Sequence, residues 1–156
     1  MSIKKIDLAI CMMEETKEEI LSIGSASDSL ITQAEQRLGV TFPDDYTYFL
    51  KKYGSLSFEA EEFYGLTKKG LQAVSIPCVI FSTEAARARG DIAKKMIKIK
   101  SSGYGPSFSL DLENIEGYSP IVETSLSYKR DMEKTIIADS FGDFFYNEIK
   151  AAIDDL

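Results

Sequence analysis

The 156-residue sequence contains no histidine, so the side chain most often used as a general base and metal ligand is missing. What remains is the chemistry of carboxylates, hydroxyls, lysines and two cysteines. Carboxylates stand two residues apart in Glu59 and Glu61, and again in Asp111 and Glu113. In a strand that spacing puts both groups on one face, as a glycosidase pair or an oxygen-ligand metal site requires. A solvated sheet face has the same pattern and needs no base, nucleophile or cationic companion, and none accompanies either pair. "GLTKKG", from Gly65 to Gly70, has the glycine spacing of a phosphate loop. Leu71 and Gln72, however, stand where Lys and Ser or Thr would hold phosphate and magnesium, so the segment reads as a turn. "GYGPSF" begins as a dinucleotide fingerprint but lacks its third glycine and leads into a strand pattern, which reads as a hairpin connection. Cys11 and Cys78 lie far apart in apolar surroundings without a C-x-x-C spacing. The expectation is a chain with no catalytic residues, no metal and no cofactor.

Charge narrows the partners. A formal charge of −7 and a pI near 4.7 oppose direct nucleic-acid binding, which needs a cationic footprint, and suit a basic protein partner. The same acidity also serves solubility. With 44% hydrophobic and 28% charged residues, the composition fits one domain with a real core over residues 1–156. No apolar run approaches the roughly 18 residues of a membrane span. The N-terminal "MSIKKIDLAICMMEETKEEI" is interrupted by Asp7 and followed by Glu14 and Glu15, so it reads as an amphipathic helix, drawn over 1–22, and not as a signal peptide. A reduced, cytoplasmic setting follows as the expectation.

The elements that must position any site fall in a helix, helix, sheet, helix order. Ile3, Ile6, Ile10 and Met13 mark the first helix; Ile31, Ala34 and Leu38 mark a second, capped by Ser27 or Asp28 and stopped by Gly39. "GVTFPDDYTYFLKKYGSLSF" specifies a third at both ends. Pro43 fits its first position, Asp44 and Asp45 its first turn, Lys51 and Lys52 its last, and Gly54 a left-handed C-cap. Tyr46, Phe49, Leu50 and Tyr53 form its apolar stripe. Strand patterns follow in "SLSFEA" with "EFYGLT", "MIKIKSS" with "PSFSLDL", and "SPIVETS". In "PSFSLDL", Phe108, Leu110 and Leu112 alternate with Ser107, Ser109 and Asp111, which predicts one buried and one wet face. Between Gly70 and Gly90, "PCVIFS" reads as a strand and "STEAARARG" as a short helix capped by Ser82 or Thr83. The closing helix begins at a Ser140–Asp143 capping box and buries Phe141, Phe144, Phe145, Ile149 and Ile153.

These residues carry a resemblance. "ITQAEQRLGVTFPDDYTYFLKKYGSLSF" resembles the N-terminal signature of the SUKH superfamily, with Ile31, Glu35, Leu38, Gly39, Pro43, Tyr46, Phe49, Leu50 and Gly54 on its pattern. Phe42 replaces the usual Leu, and Tyr53 the usual Asn. "FSLDLENIEGYSPIVE" resembles the family's Leu-Asp strand, turn and Pro-Val-Val, and "IADSFGDFFYNEI" its closing helix, so the match spans about 28–150. The resemblance implies an α+β fold with helices packed against a mixed, largely antiparallel sheet. It also implies a non-enzymatic protein-binding domain of the bacterial immunity class, which silences a toxin, often a nuclease, delivered by competing cells. A regulatory adaptor for cellular proteins and a small carboxylate-dependent enzyme are the other two readings. For a cationic partner, the candidate binding residues are Glu59, Glu61, Glu62 and Asp111, taken as exposed carboxylates near the sheet. Reversing Glu61 and Asp111 to Lys is therefore expected to slow association and leave stability nearly unchanged.

Overall fold

The computed structural model describes residues 2–103, 105–113, 117–125 and 134–156. Tyr104 of the "GYGPSF" connection and Asn114, Ile115 and Glu116 of the turn after "FSLDL" lie outside them, as does Met1.

Among the described residues, five helices and two antiparallel sheets give an α+β fold, as the sequence implies. The helices are α1 (Ser2–Thr16), α2 (Asp28–Leu38), α3 (Asp44–Tyr53), α4 (Val79–Arg89) and α5 (Phe141–Asp154). The strands are β1 (Ile20–Ser22), β2 (Leu56–Phe58), β3 (Glu61–Phe63), β4 (Met96–Ser101), β5 (Ser107–Asp111), β6 (Ile121–Thr124) and β7 (Thr135–Ala138). They divide into a sheet ordered β1-β2-β3 and a sheet ordered β4-β5-β6-β7, where a single sheet was expected. A hydrogen bond from the Tyr64 N–H to the Ile99 carbonyl, 2.8 Å, links the two.

The helix ends follow their capping residues. Ser27 accepts from the Leu30 N–H, Gly39 closes α2 in the left-handed region, and Ser140 accepts from the Asp143 N–H at the start of α5. Pro43 is the N-cap of α3, one position outside the helix. Gly54 has φ 72° and ψ −71°, positive in φ but outside the left-handed helical region. A Cβ there would stand 2.3 Å from the Gly24 carbonyl oxygen, so close backbone approach also demands glycine.

Four expectations are corrected, and one strand was not foreseen. The first helix does not run to 22: it ends at Thr16, Lys17 turns the chain at φ 64°, and Ile20–Ser22 become β1. "PCVIFS" is not a strand, because Cys78 is the N-cap of a single α4. Ser82 and Thr83 cap nothing; the Ser82 hydroxyl donates to the Lys98 carbonyl (2.9 Å) and Thr83 accepts from the Lys98 N–H (3.0 Å), tying α4 to the edge strand β4. The serine face of β5 is only partly wet: Ser107 and Asp111 are half-buried, but Ser109 is fully buried. No strand was expected at Thr135–Ala138.

Tyr46, Phe49, Leu50, Phe141, Phe144 and Phe145 share one core, as their stripes predict. The Phe141 ring lies 5.0 Å from both Tyr46 and Phe49, and Phe145 lies 5.6 Å from Phe49, spacings at which aromatic pairs add to simple burial. Asp45 does more than bias a helix dipole. It is buried, and its carboxylate accepts the Tyr46 N–H (2.8 Å) and the Gly142 N–H (2.9 Å), so α3 satisfies an otherwise orphaned donor at the start of α5.

Candidate protein-binding surface

The three-stranded sheet has two unlike faces. Leu56, Phe58 and Phe63 point into the core, and alternation turns Leu21, Ser57 and Glu62, which lie side by side across the register, to the other side. Leu21 is 56% exposed, and Ile23, two residues on, is exposed on the same side. Glu59 sits at the tip of the β2–β3 hairpin with φ 54° and is exposed. The β1–β2 register pairs Ile20 with Phe58, so it brings exposed Glu19 beside Glu59. The outcome is a small apolar centre, Leu21 and Ile23, with Glu19, Glu59 and Glu62 at its rim.

Glu61 has a different environment from its neighbours. Its Oε1 lies 2.9 Å from the Lys100 ammonium, which Glu148 of α5 approaches at 3.3 Å. Lys100 is only 4% exposed, at a bulge in β4, with the Phe63 and Phe108 rings 5.7 and 5.4 Å from its nitrogen. A buried ammonium needs carboxylate partners, and those partners are thereby fixed. Glu61 is thus a fixed carboxylate on the inward side of β3, opposite Leu21 and Glu62, and not a free one.

Asp111 is placed elsewhere. It lies at the far end of β5 from the Lys100–Phe108 pairing and on the opposite face of the four-stranded sheet, where it binds Lys134 at 2.6 Å. The structure therefore gathers Glu59, Glu61 and Glu62 on one hairpin and separates Asp111 from them. Glu59 and Glu61 do not share a face as an i, i+2 pair either, because Glu59 is in the turn. Expected stability-neutrality of reversing Glu61 or Asp111 does not survive these ion pairs. Sequence reasoning missed Glu19, Leu21 and Ile23 because they were assigned to the first helix or its exit; the clustered Ile20, Leu21 and Ile23 ahead of Gly24 were the available strand signal.

Among the described residues no cluster of three or more His, Cys, Asp or Glu is arranged to hold a metal ion, and no helix is long and apolar enough to cross a membrane. A family model described as SMI1-KNR4 cell-wall, within the SUKH group, matches residues 28–145. That span contains α2 through the start of α5, including the β2–β3 hairpin, Lys100 and the Asp45 cap. Proteins of this family are generally non-enzymatic, and are commonly immunity proteins or SMI1/KNR4-like. With the match covering most of the chain and the fold agreeing with it, this protein belongs to the SUKH superfamily.

Proposed function

We propose that the chain is an immunity protein that neutralises a cognate toxin by docking the outer face of the β1-β2-β3 sheet over a basic functional surface of that toxin. The observation that carries this reading is the composition of that face: exposed Leu21 and Ile23 bordered by Glu19, Glu59 and Glu62. An apolar centre inside a charged rim is the usual anatomy of a protein interface, and rim carboxylates steer a cationic partner. Asp111 lies on the other sheet, so the reading rests on the β1-β2-β3 face alone.

The test is cellular and then biophysical. Co-expression with the toxin encoded beside this gene should restore growth, and Leu21→Asp should abolish both rescue and complex formation by calorimetry. Rescue that survives Leu21→Asp and Glu62→Lys combined, in a folded protein, would remove this face as the toxin-binding surface. Rescue by an unrelated acidic protein of similar size would show that bulk charge suffices.

A further inference from the structure

The far face of the four-stranded sheet holds a second, chemically opposite feature. Lys98, Ser101, Ser107 and Thr124 lie on neighbouring strands, joined by the pairings of Ser101 with Ser107 and Ser107 with Thr124. Together with Arg89 and Ile92 from the end of α4 and the segment after it, they line a cavity of about 400 Å³, within the range typical of small-molecule sites.

The protein is acidic overall, yet residues 87–100 carry Arg87, Arg89, Lys94, Lys95, Lys98 and Lys100 against Asp91 alone. Lys100 is committed to Glu61 and Glu148 on the other side of the sheet, and Arg89 to Asp91 at 2.7 Å. Lys98 is half-buried, and among the described residues no hydrogen bond or ion pair engages its ammonium. Burial first, and then Arg89, push that ammonium below its ordinary value, while Asp91, which also lines the cavity, opposes the shift. The hydroxyls around it are also uncommitted as donors. Ser101 accepts from the Tyr64 hydroxyl at 3.2 Å and keeps its own proton, while the Ser107 and Thr124 side chains make no hydrogen bond among the described residues. Directly across from Lys98 in the ladder, the buried Ser109 hydroxyl has no partner either. Hydroxyl donors without protein acceptors, gathered beside a half-buried cation that has no ion pair, suit an anion of several oxygens.

We infer that this cavity binds a phosphoryl group, with Lys98 as its counter-charge, Ser101, Ser107 and Thr124 as hydroxyl donors, and Ile92 with Ala86 as an apolar wall for an organic substituent. The site faces away from the β1-β2-β3 surface and does not depend on the toxin reading.

The test is an NMR titration of the full chain at constant ionic strength, first with inorganic phosphate and then with glycerol phosphate. Saturable shifts should appear at Lys98, Ser101, Ser107 and Thr124, and Lys98→Gln should weaken binding about tenfold or more, while Lys94→Gln, outside the lining, should not. Thr124→Val offers a second variant should Lys98→Gln fold poorly. Equal affinity for both ligands assigns the site to the free anion, and tighter binding of the ester to a phosphorylated small molecule. Shifts that rise linearly without saturating, or an unchanged affinity in folded Lys98→Gln, overturn the inference.

Discussion

At the scale of single residues, the charges that matter are those with partners. Lys100 draws two carboxylates from different elements into one cluster, and its burial makes the cluster asymmetric: removing one carboxylate leaves the ammonium a partner, whereas removing both strands it. Glu61→Gln with Glu148→Gln should cost on the order of 3 to 5 kcal/mol in urea unfolding, and each single variant clearly less. A double variant as stable as the parent would mean that Lys100 reaches solvent. The sequence offers Glu61 as a candidate but not its partner, because nothing local links a strand residue to Lys100 or to a helix near the C-terminus. Tyr48 makes a second long-range contact, donating its hydroxyl to Asp7 at 2.5 Å. That hydrogen bond, with smaller help from burial, raises the phenol from 10.0 to about 12. Because the folded value lies above the unfolded one, the contact stabilises fully below about pH 10 and its contribution disappears as pH rises through 12. A ring-carbon NMR titration should find Tyr48 deprotonating near pH 12, and Asp7→Asn should return it toward 10. An ordinary value in the parent protein would show that the hydroxyl does not hold Asp7 in solution.

At the scale of elements, legibility follows the range of the determining interaction. The bounds of α2 and α3 and the start of α5 could be read because their caps and apolar stripes are local, and the structure departs from them by a residue at most. The stripes of α3 and α5 also predict their meeting. Phe49→Ala or Phe145→Ala should cost about 3 to 5 kcal/mol, measured by chemical denaturation, and a loss below about 1 kcal/mol would contradict the ring packing. What failed was set at a distance. Residues 20–22 form a strand only because β2 lies beside them, and three residues are too few to show a period. The first turn of α4 has the β-branched content of a strand, but the helix is fixed from outside by Ser82 and Thr83 bonding to β4. Asp45 is the same lesson in reverse. It reads as a first-turn charge of its own helix, yet its buried carboxylate holds the N-terminus of another. Asp45→Ala, by leaving the Gly142 N–H without its acceptor, should cost about 1 to 3 kcal/mol.

At the scale of the molecule, charge is sorted by position, and the net value of −7 conceals this. Glu14, Glu15, Glu18 and Glu19 follow one another from the end of α1 into β1, and the register sets Glu19 beside Glu59 on the hairpin, with Glu61 and Glu62 following in β3. The cations of residues 87–100 cluster instead around α4 and β4. A protein polarised in this way orients itself toward a charged partner before contact, so the acidic hairpin should govern the rate of encounter more than the lifetime of the complex. Stopped-flow association of the chain with the toxin partner we propose should slow about tenfold in Glu59→Lys with Glu62→Lys, and the difference should shrink as salt shortens the Debye length from ~10 Å at 0.1 M. Thermal stability should stay close to the parent, since neither carboxylate is in an ion pair among the described residues and exposed charges contribute little. Asp111→Lys is the discriminating control. It places the same charge change on the other sheet, where it should leave association unaltered while lowering stability by expelling Lys134. Equal slowing by Asp111→Lys and by the hairpin pair would show that steering senses net charge alone, and the outer face of the β1-β2-β3 sheet would lose its claim to the partner.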